Sequence, residues 1–184
     1  LMDYLTTDAT LTTAQLAEKL NVSAQEIVRQ CEALRLEGYE ITRDEPLRLL
    51  PMPGSLLPGY IRQGLTTQRM GRAAILYAPE MGSTNTELKR VAMQQPLPEG
   101  SLAVCHHQTA GKGRLQRTWD DPDAGASLPC SLLLKPTLPP EQVQLVTLAA
   151  AIAAAAAIAD FGLTPGIKWP NDVVLGVKKC VGIL

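Results

Sequence analysis

The stretch Pro51-Met-Pro-Gly-Ser-Leu-Leu-Pro-Gly59 packs three prolines and two glycines into nine residues. Proline removes a backbone donor and glycine is conformationally permissive, so neither a helix interior nor a central strand runs through such a segment. A chain of 184 residues must then fold as two patterned regions on either side of it. Its length allows one ordinary domain and a small one. The expected division is a helical module over residues 1–50, a linker over 51–62 and a larger α/β domain over 63–184.

The front region carries helix start and stop signals. Thr12-x-x-Gln15 and Ser23-x-x-Glu26 both fit the capping box, so helices should begin near residues 13 and 24. Leu16 and Leu20 mark the buried face of the first helix, and Ile27, Cys31 and Leu34 that of the second. Gly38 stops the second helix, and Tyr39-Glu40-Ile41 begins an extended segment. Helix, short turn, helix and strand make the outline of a winged helix-turn-helix. Its recognition helix, Ala24–Glu37, carries Arg29 and Arg35 against Glu26, Glu32 and Glu37. The wing, Thr42-Arg43-Asp44-Glu45-Pro46, has two acids where phosphate contact favours cations. Two readings stay open: a DNA reader using Arg29, Arg35, Arg43 and Arg48, or a packing and dimerisation module of the same shape.

The larger region alternates strand and helix patterns. Strands are expected at Arg72–Ala78, Ser101–His107 and Leu128–Lys135, with a helix from Thr84 to about Met93. A long helix should start at Pro139-Pro140-Glu141 and stop at Gly162. Closely spaced strands follow at Ile167–Trp169, Val173–Val177 and Cys180–Leu184. The alanine-rich run Leu145–Ala159 is shorter than a spanning helix and reads as a buried helix of a soluble protein, with no membrane partner. A net charge of −1 gives no general attraction to nucleic acid or acidic lipid, so any such contact must be local. Four scattered cysteines, each in an apolar context, fit buried thiols in a reduced, cytoplasmic setting, and no metal site of protein ligands is expected.

Three polar clusters are candidates for chemistry. Ser83-Thr84-Asn85 lies at a helix start, where hydroxyls, an amide and backbone donors coincide; N-capping alone explains one of the three. Gln108-Thr-Ala-Gly-Lys-Gly-Arg-Leu-Gln-Arg-Thr-Trp119 lacks periodicity and reads as a loop. Gly111 and Gly113 leave its backbone approachable, and Lys112, Arg114 and Arg117 suit carboxylate or phosphate oxygens. A solvated basic turn is the bland alternative. Lys168-Trp-Pro-Asn-Asp172, followed by Lys178-Lys179, breaks a strand and displays an amide and a carboxylate; an ordinary β-turn has the same composition. The sequence has neither Ser-His-Asp spacing nor a GxxxxGK[ST] loop.

Taken together and in this order, the three clusters resemble biotin–protein ligase, and more closely the bifunctional type whose N-terminal winged helix doubles as the biotin operon repressor. The resemblance covers about residues 11–184, and Lys168-Trp-Pro-Asn-Asp172 is its most specific part. It implies a winged helix-turn-helix followed by a mixed-sheet catalytic domain of the biotin/lipoate ligase type. That family pattern runs on past residue 184, so the catalytic domain is expected to be incomplete here, with some ATP-side residues missing and turnover impaired.

The implied reaction joins biotin and ATP into biotinyl-5′-adenylate and passes biotin to a lysine of a biotin carboxyl carrier protein, the acetyl-CoA carboxylase subunit. Ser83, Thr84, Asn85 and Gln108 would hold the ureido head, with Lys112, Gly113, Arg114 and Lys179 on the rest of biotin. Gly111, Arg117, Trp119, Asn171 and Asp172 would line the adenylate, and Arg114 and Lys179 would be the catalytic cations. Mg2+ would arrive with ATP, with Asp172 a candidate outer ligand. Operator DNA and a second copy of the chain are the further partners of the bifunctional type. A biotin-responsive repressor without ligase action and a lipoyl or octanoyl transferase are the competing readings. The loop here holds Lys112, Leu115 and Gln116 where the family is richer in Arg and Gly.

Overall fold

The structure is a computed structural model and describes residues 1–6, 10–120 and 125–184. Its front portion contains α1 (Met2–Leu5), α2 (Thr13–Leu20) and α3 (Ala24–Leu36). Thr12 caps α2 as a full box: its hydroxyl accepts from Gln15 N at 3.2 Å, and its own N–H donates to Gln15 Oε1 at 2.9 Å. Ser23 caps α3 through Glu26 N at 3.1 Å. Only that half of the second expected box forms, because the Glu26 carboxylate instead accepts from Arg29 and Gln30. Asn21 makes the turn in left-handed conformation at φ 53°, which asparagine tolerates well.

Beyond α3, antiparallel bridges join Leu11 to Leu47 and Ile41 to Leu49. Glu45 closes this segment onto α2 by accepting from Thr13 N at 2.9 Å, so one wing acid serves a helix start, where a carboxylate is favoured. Leu16, Ile27, Cys31, Tyr39, Ile41, Leu47 and Leu49 form the core. The expected linker contributes to it: residues 58–64 form α4 (Pro58–Gly64), and Tyr60 lies in the same core. The rings of Tyr39 and Tyr60 sit 5.5 Å apart, and the Tyr60 hydroxyl accepts from Glu40 N at 2.7 Å. A β-carbon at Gly59 would lie 2.7 Å from both Tyr39 Cε1 and Met2 Sδ, so this glycine permits close packing.

In the larger portion, β1 (Ile75–Met81) and β2 (Leu102–Gln108) pair in parallel through α5 (Thr84–Gln94), and β3 (Cys130–Leu132) adds antiparallel to β2. The sheet is therefore mixed, and the class is mixed α/β. Leu88 and Val91 of α5 bury against Leu97 and Ala103. The first strand starts later than its apolar run. The Arg72 guanidinium is drawn into the preceding turn, donating to Thr67 O at 2.8 Å, Arg62 O at 3.1 Å and Leu65 O. The third strand is shorter than the apolar pattern Leu128–Lys135.

A second, antiparallel sheet follows: β4 (Pro165–Lys168), β5 (Asp172–Leu175) and β6 (Lys178–Gly182). A 3-10 turn at Pro140–Gln142 leads into α6 (Gln144–Ala159), which packs on β4 and β5. Gly162 follows its end at φ 76°, the left-handed residue expected there. The expectation that α6 is buried is overturned. Ala151 is its one buried residue, and Leu145 and Ile152 are 50% and 55% exposed. Strands β4 and β5 pack against one side of this largely apolar helix, whose polar residues are Gln144 and Thr147. Pro140–Ala159 runs for 20 residues and holds an 18-residue window of mean hydropathy 1.9, long and apolar enough to cross a membrane by length and composition only. The cysteine expectation is half corrected too: Cys31 and Cys105 are buried, whereas Cys130 and Cys180 are exposed, on the short edge strand β3 and on β6.

Candidate functional site

The first polar cluster forms where β1 hands the chain to α5. Ser83 is the N-cap, accepting from Thr86 N at 3.5 Å, and Ser83 and Thr84 are buried. Thr84 donates twice to Gln108 Oε1 at the end of β2, from its backbone N at 2.8 Å and its hydroxyl at 3.1 Å. Parallel pairing of β1 with β2 brings these residues together, since both strands then end at the same edge. Asn85 is half-buried in the first turn of α5.

The basic stretch is tied to the same edge. Thr109 N donates to Met81 O at 3.0 Å and Ala110 N to Gly82 O at 2.8 Å. It does not run on as an irregular loop but turns back as a tight hairpin. Trp119 N donates to Gly111 O at 2.9 Å, Gly113 N donates to Arg117 O at 2.7 Å, and Lys112 bridges Thr118 antiparallel. The hairpin tip is a 3-10 turn over Arg114–Gln116, with Leu115 left-handed at φ 56°. Gly111 is the joint between the clusters. A β-carbon there would lie 2.6 Å from Trp119 O and 3.3 Å from Gln108 Nε2.

The third cluster docks on the hairpin. Arg114 Nη1 donates to Asn171 Oδ1 at 3.2 Å, and Asn171 Nδ2 donates to Ile183 O at 2.8 Å. Lys179 Nζ pairs with Asp172 Oδ1 at 2.8 Å and lies 5.0 Å from the Trp119 ring centroid. Lys179 lies opposite Val174 on the antiparallel neighbour β6, and its side chain reaches along the sheet to Asp172 at the start of β5. Gly182 makes room for it, because a β-carbon there would stand 2.6 Å from Trp119 Cζ3 and 2.9 Å from Lys179 Cε. The assembly joins a directional set of hydroxyl, amide and backbone donors to two cations, Arg114 and Lys179, each held by a neutral or anionic side chain.

Residues 77–184 match the model of the Biotin/lipoate A/B protein ligase family. The chain belongs to this family. Among its curated relatives is the bifunctional ligase/repressor BirA of Bacillus spizizenii, 38% identical over 173 residues that span 92% of this chain and 52% of the relative. The biotin–[acetyl-CoA-carboxylase] ligase of Mycobacterium tuberculosis is 34% identical over 110 residues, 57% of this chain and 41% of the relative. Among solved structures, the biotin protein ligase from Aquifex aeolicus in complex with biotin and ATP aligns with a TM-score of 0.50 and 30% identity, covering 60% of this chain and 45% of that one. The chain spans about half the length of the first two curated relatives.

Within this biotin/lipoate ligase fold, the structure groups Thr84 with Gln108, Arg114 with Asn171, and Trp119 with Lys179 and Asp172. Lys112 and Arg117 hold the hairpin through their backbone, and both side chains are exposed. In the front portion Arg35 is committed elsewhere: it donates to Ile41 O at 3.2 Å and Thr42 O at 2.5 Å and pairs with Glu32. Arg29 chelates Glu26 on its own helix, and Arg43 is exposed. Sequence reasoning missed one residue of the site: Ser131, a polar residue inside an apolar strand run. Gly182 is an isolated strand glycine, which often marks a close approach.

Proposed function

We propose that this chain is part of a ligase that activates biotin with ATP and transfers it to a lysine of a biotin carboxyl carrier protein. The observation that carries the reading is Lys179, set between the Asp172 carboxylate and the Trp119 face and beside the Arg114–Asn171 pair. A biotin carboxylate oxygen attacks the α-phosphorus, pyrophosphate leaves, and the lysine amine later displaces AMP from the mixed anhydride. Attack of one anion on another needs fixed cations, and Arg114 and Lys179 are the ones assigned to it. Ser83, Thr84, Asn85 and Gln108 take the ureido head. Lys112 and Gly113 cover the biotin tail, and Gly111, Arg117, Trp119, Asn171 and Asp172 face the nucleotide. The names of the relatives and the biotin and ATP bound in the solved complex support the ligase reading itself.

A Mg2+ ion that arrives with ATP would be held by Asp172 together with substrate phosphates, the carboxylate being shared with Lys179 at 2.8 Å. Bound there, the ion would neutralise phosphate charge.

The front portion, over residues 1–50, is proposed as a winged helix-turn-helix, 51–62 as its connection and 63–184 as the catalytic domain. Its helix–turn–helix and bridged extended segment support a second role, biotin-responsive repression by a cytoplasmic dimer through Arg29 and Arg43. Gel-shift titration of the full-length protein across salt tests it; absence of binding at low salt refutes DNA recognition. For the ligase reading, biotin-dependent release of pyrophosphate from ATP by the full-length protein should be lost in Lys179→Ala and Arg114→Ala. Full activity in both variants overturns the assignment, and thermal stabilisation by lipoate rather than biotin would favour the acyl-transferase reading.

A further inference from the structure

The hydrogen bonds around Thr84 have a fixed direction. A backbone N–H can only donate, so the Gln108 atom 2.8 Å from Thr84 N is the carbonyl oxygen Oε1, which settles the orientation of the amide. The Thr84 hydroxyl, 3.1 Å from the same oxygen, must use its single proton there, because Oε1 has none to give. Ser131 Oγ lies 2.9 Å from that hydroxyl, whose proton is already committed, so Ser131 is the donor in this contact. The chain of donation runs from Ser131 through Thr84 to Gln108, and it joins β3 to α5 and β2.

We propose that Ser131 is a positioning residue for the biotin site, acting through the Thr84 hydroxyl on the orientation of Gln108; the proposal rests on the ligase reading above. Thr84 is 3% exposed, so its hydroxyl has little water with which to replace a lost partner. With Ser131 in place, the hydroxyl proton stays on Gln108 Oε1 and the Nε2 end of the amide is turned toward Gly111, 3.3 Å from where a β-carbon would stand. Without it, the buried hydroxyl oxygen is left without its donor and its own bond to Gln108 Oε1 is no longer strengthened. The binding surface then loses order that the ligand must restore.

The test is a double-mutant cycle on biotin affinity in the full-length protein, read by calorimetry. Ser131→Ala should weaken binding by about three- to tenfold, the range of one hydrogen bond to a buried hydroxyl, and Ser131→Thr should restore it by returning the donor. In a Thr84→Val background the further change Ser131→Ala should have no effect, because the relay is already cut. The melting temperature of each variant without ligand separates loss of binding from loss of fold. Wild-type affinity in Ser131→Ala, or an equal loss in the Thr84→Val background, overturns the positioning role while leaving the ligase reading intact. Failure of the wild-type protein to bind biotin overturns both.

Discussion

Replacing Gly111 with alanine tests whether the basic hairpin is held shut as its hydrogen bonds imply. The new β-carbon would stand 2.6 Å from Trp119 O, 3.2 Å from Trp119 Cβ and 3.3 Å from Gln108 Nε2. The first of these is backbone and cannot rotate away, so the two hairpin arms must separate. Overpacking of this kind costs about 1–3 kcal/mol. The Trp119 N–H bond to Gly111 O, 2.9 Å in the native hairpin, is lost with it and is worth about 1 kcal/mol. The closed hairpin is then disfavoured by roughly 2–4 kcal/mol, which at about 1.4 kcal/mol per tenfold is a 30- to 700-fold rise in local opening. Amide hydrogen exchange at Trp119 reads that opening directly. Gly113→Ala, whose nearest contact is Arg117 O at 3.3 Å, should raise exchange far less, and Gly64→Ala, with nothing within 4 Å, not at all. Unchanged protection of Trp119 in Gly111→Ala, or a larger effect from Gly113→Ala, would refute the argument.

Gly182→Ala meets side chains rather than backbone, so it should lower the melting temperature by only a few degrees, about 1 kcal/mol. Because it displaces Lys179 from Trp119, the ligase reading has biotin-dependent pyrophosphate release by the full-length protein nonetheless fall at least about tenfold; parallel calorimetry and turnover assays check the split. Arg35→Met removes two guanidinium bonds to the Ile41 and Thr42 carbonyls and should destabilise the front portion by about 2 kcal/mol in urea denaturation. The hydrogen bond from Arg29, helped by Gln30, holds the Glu26 carboxyl down to about 2 from an ordinary 4.5. A group depressed in the folded state stabilises fully above its unfolded value, and that contribution disappears as pH falls from 4.5 toward 2. Glu26→Gln should therefore flatten the acid limb of stability against pH, measured by denaturant titration.

Where the signal was local, the structure follows it closely. Thr12 and Ser23 start their helices because a cap needs only the next three residues, and Gly162 stops α6 for an equally local reason. The three polar clusters were also legible, since each interrupts an apolar pattern. What stayed hidden depended on partners distant in sequence. Gly59 and Tyr60 read as linker composition, yet they complete a core by meeting Tyr39 and Met2. Ser131 gained its role only when β3 paired beside β2, bringing its hydroxyl to Thr84. The apolar run of α6 gave its hydropathy correctly and its burial wrongly, because composition states what a helix prefers to cover and not what is there to cover it.

The sequence by itself therefore determined the element types, the helix caps and the residues with chemical potential, all of which are properties of short windows. Tertiary structure alone decided that Gln108 faces Thr84, that Arg114 reaches Asn171 and that Lys179 lies over Trp119 beside Asp172. The first pairing depends on strand order and register, which are set by which faces the sheets bury rather than by the polar residues at their ends, and the others depend on how the hairpin docks against the second sheet.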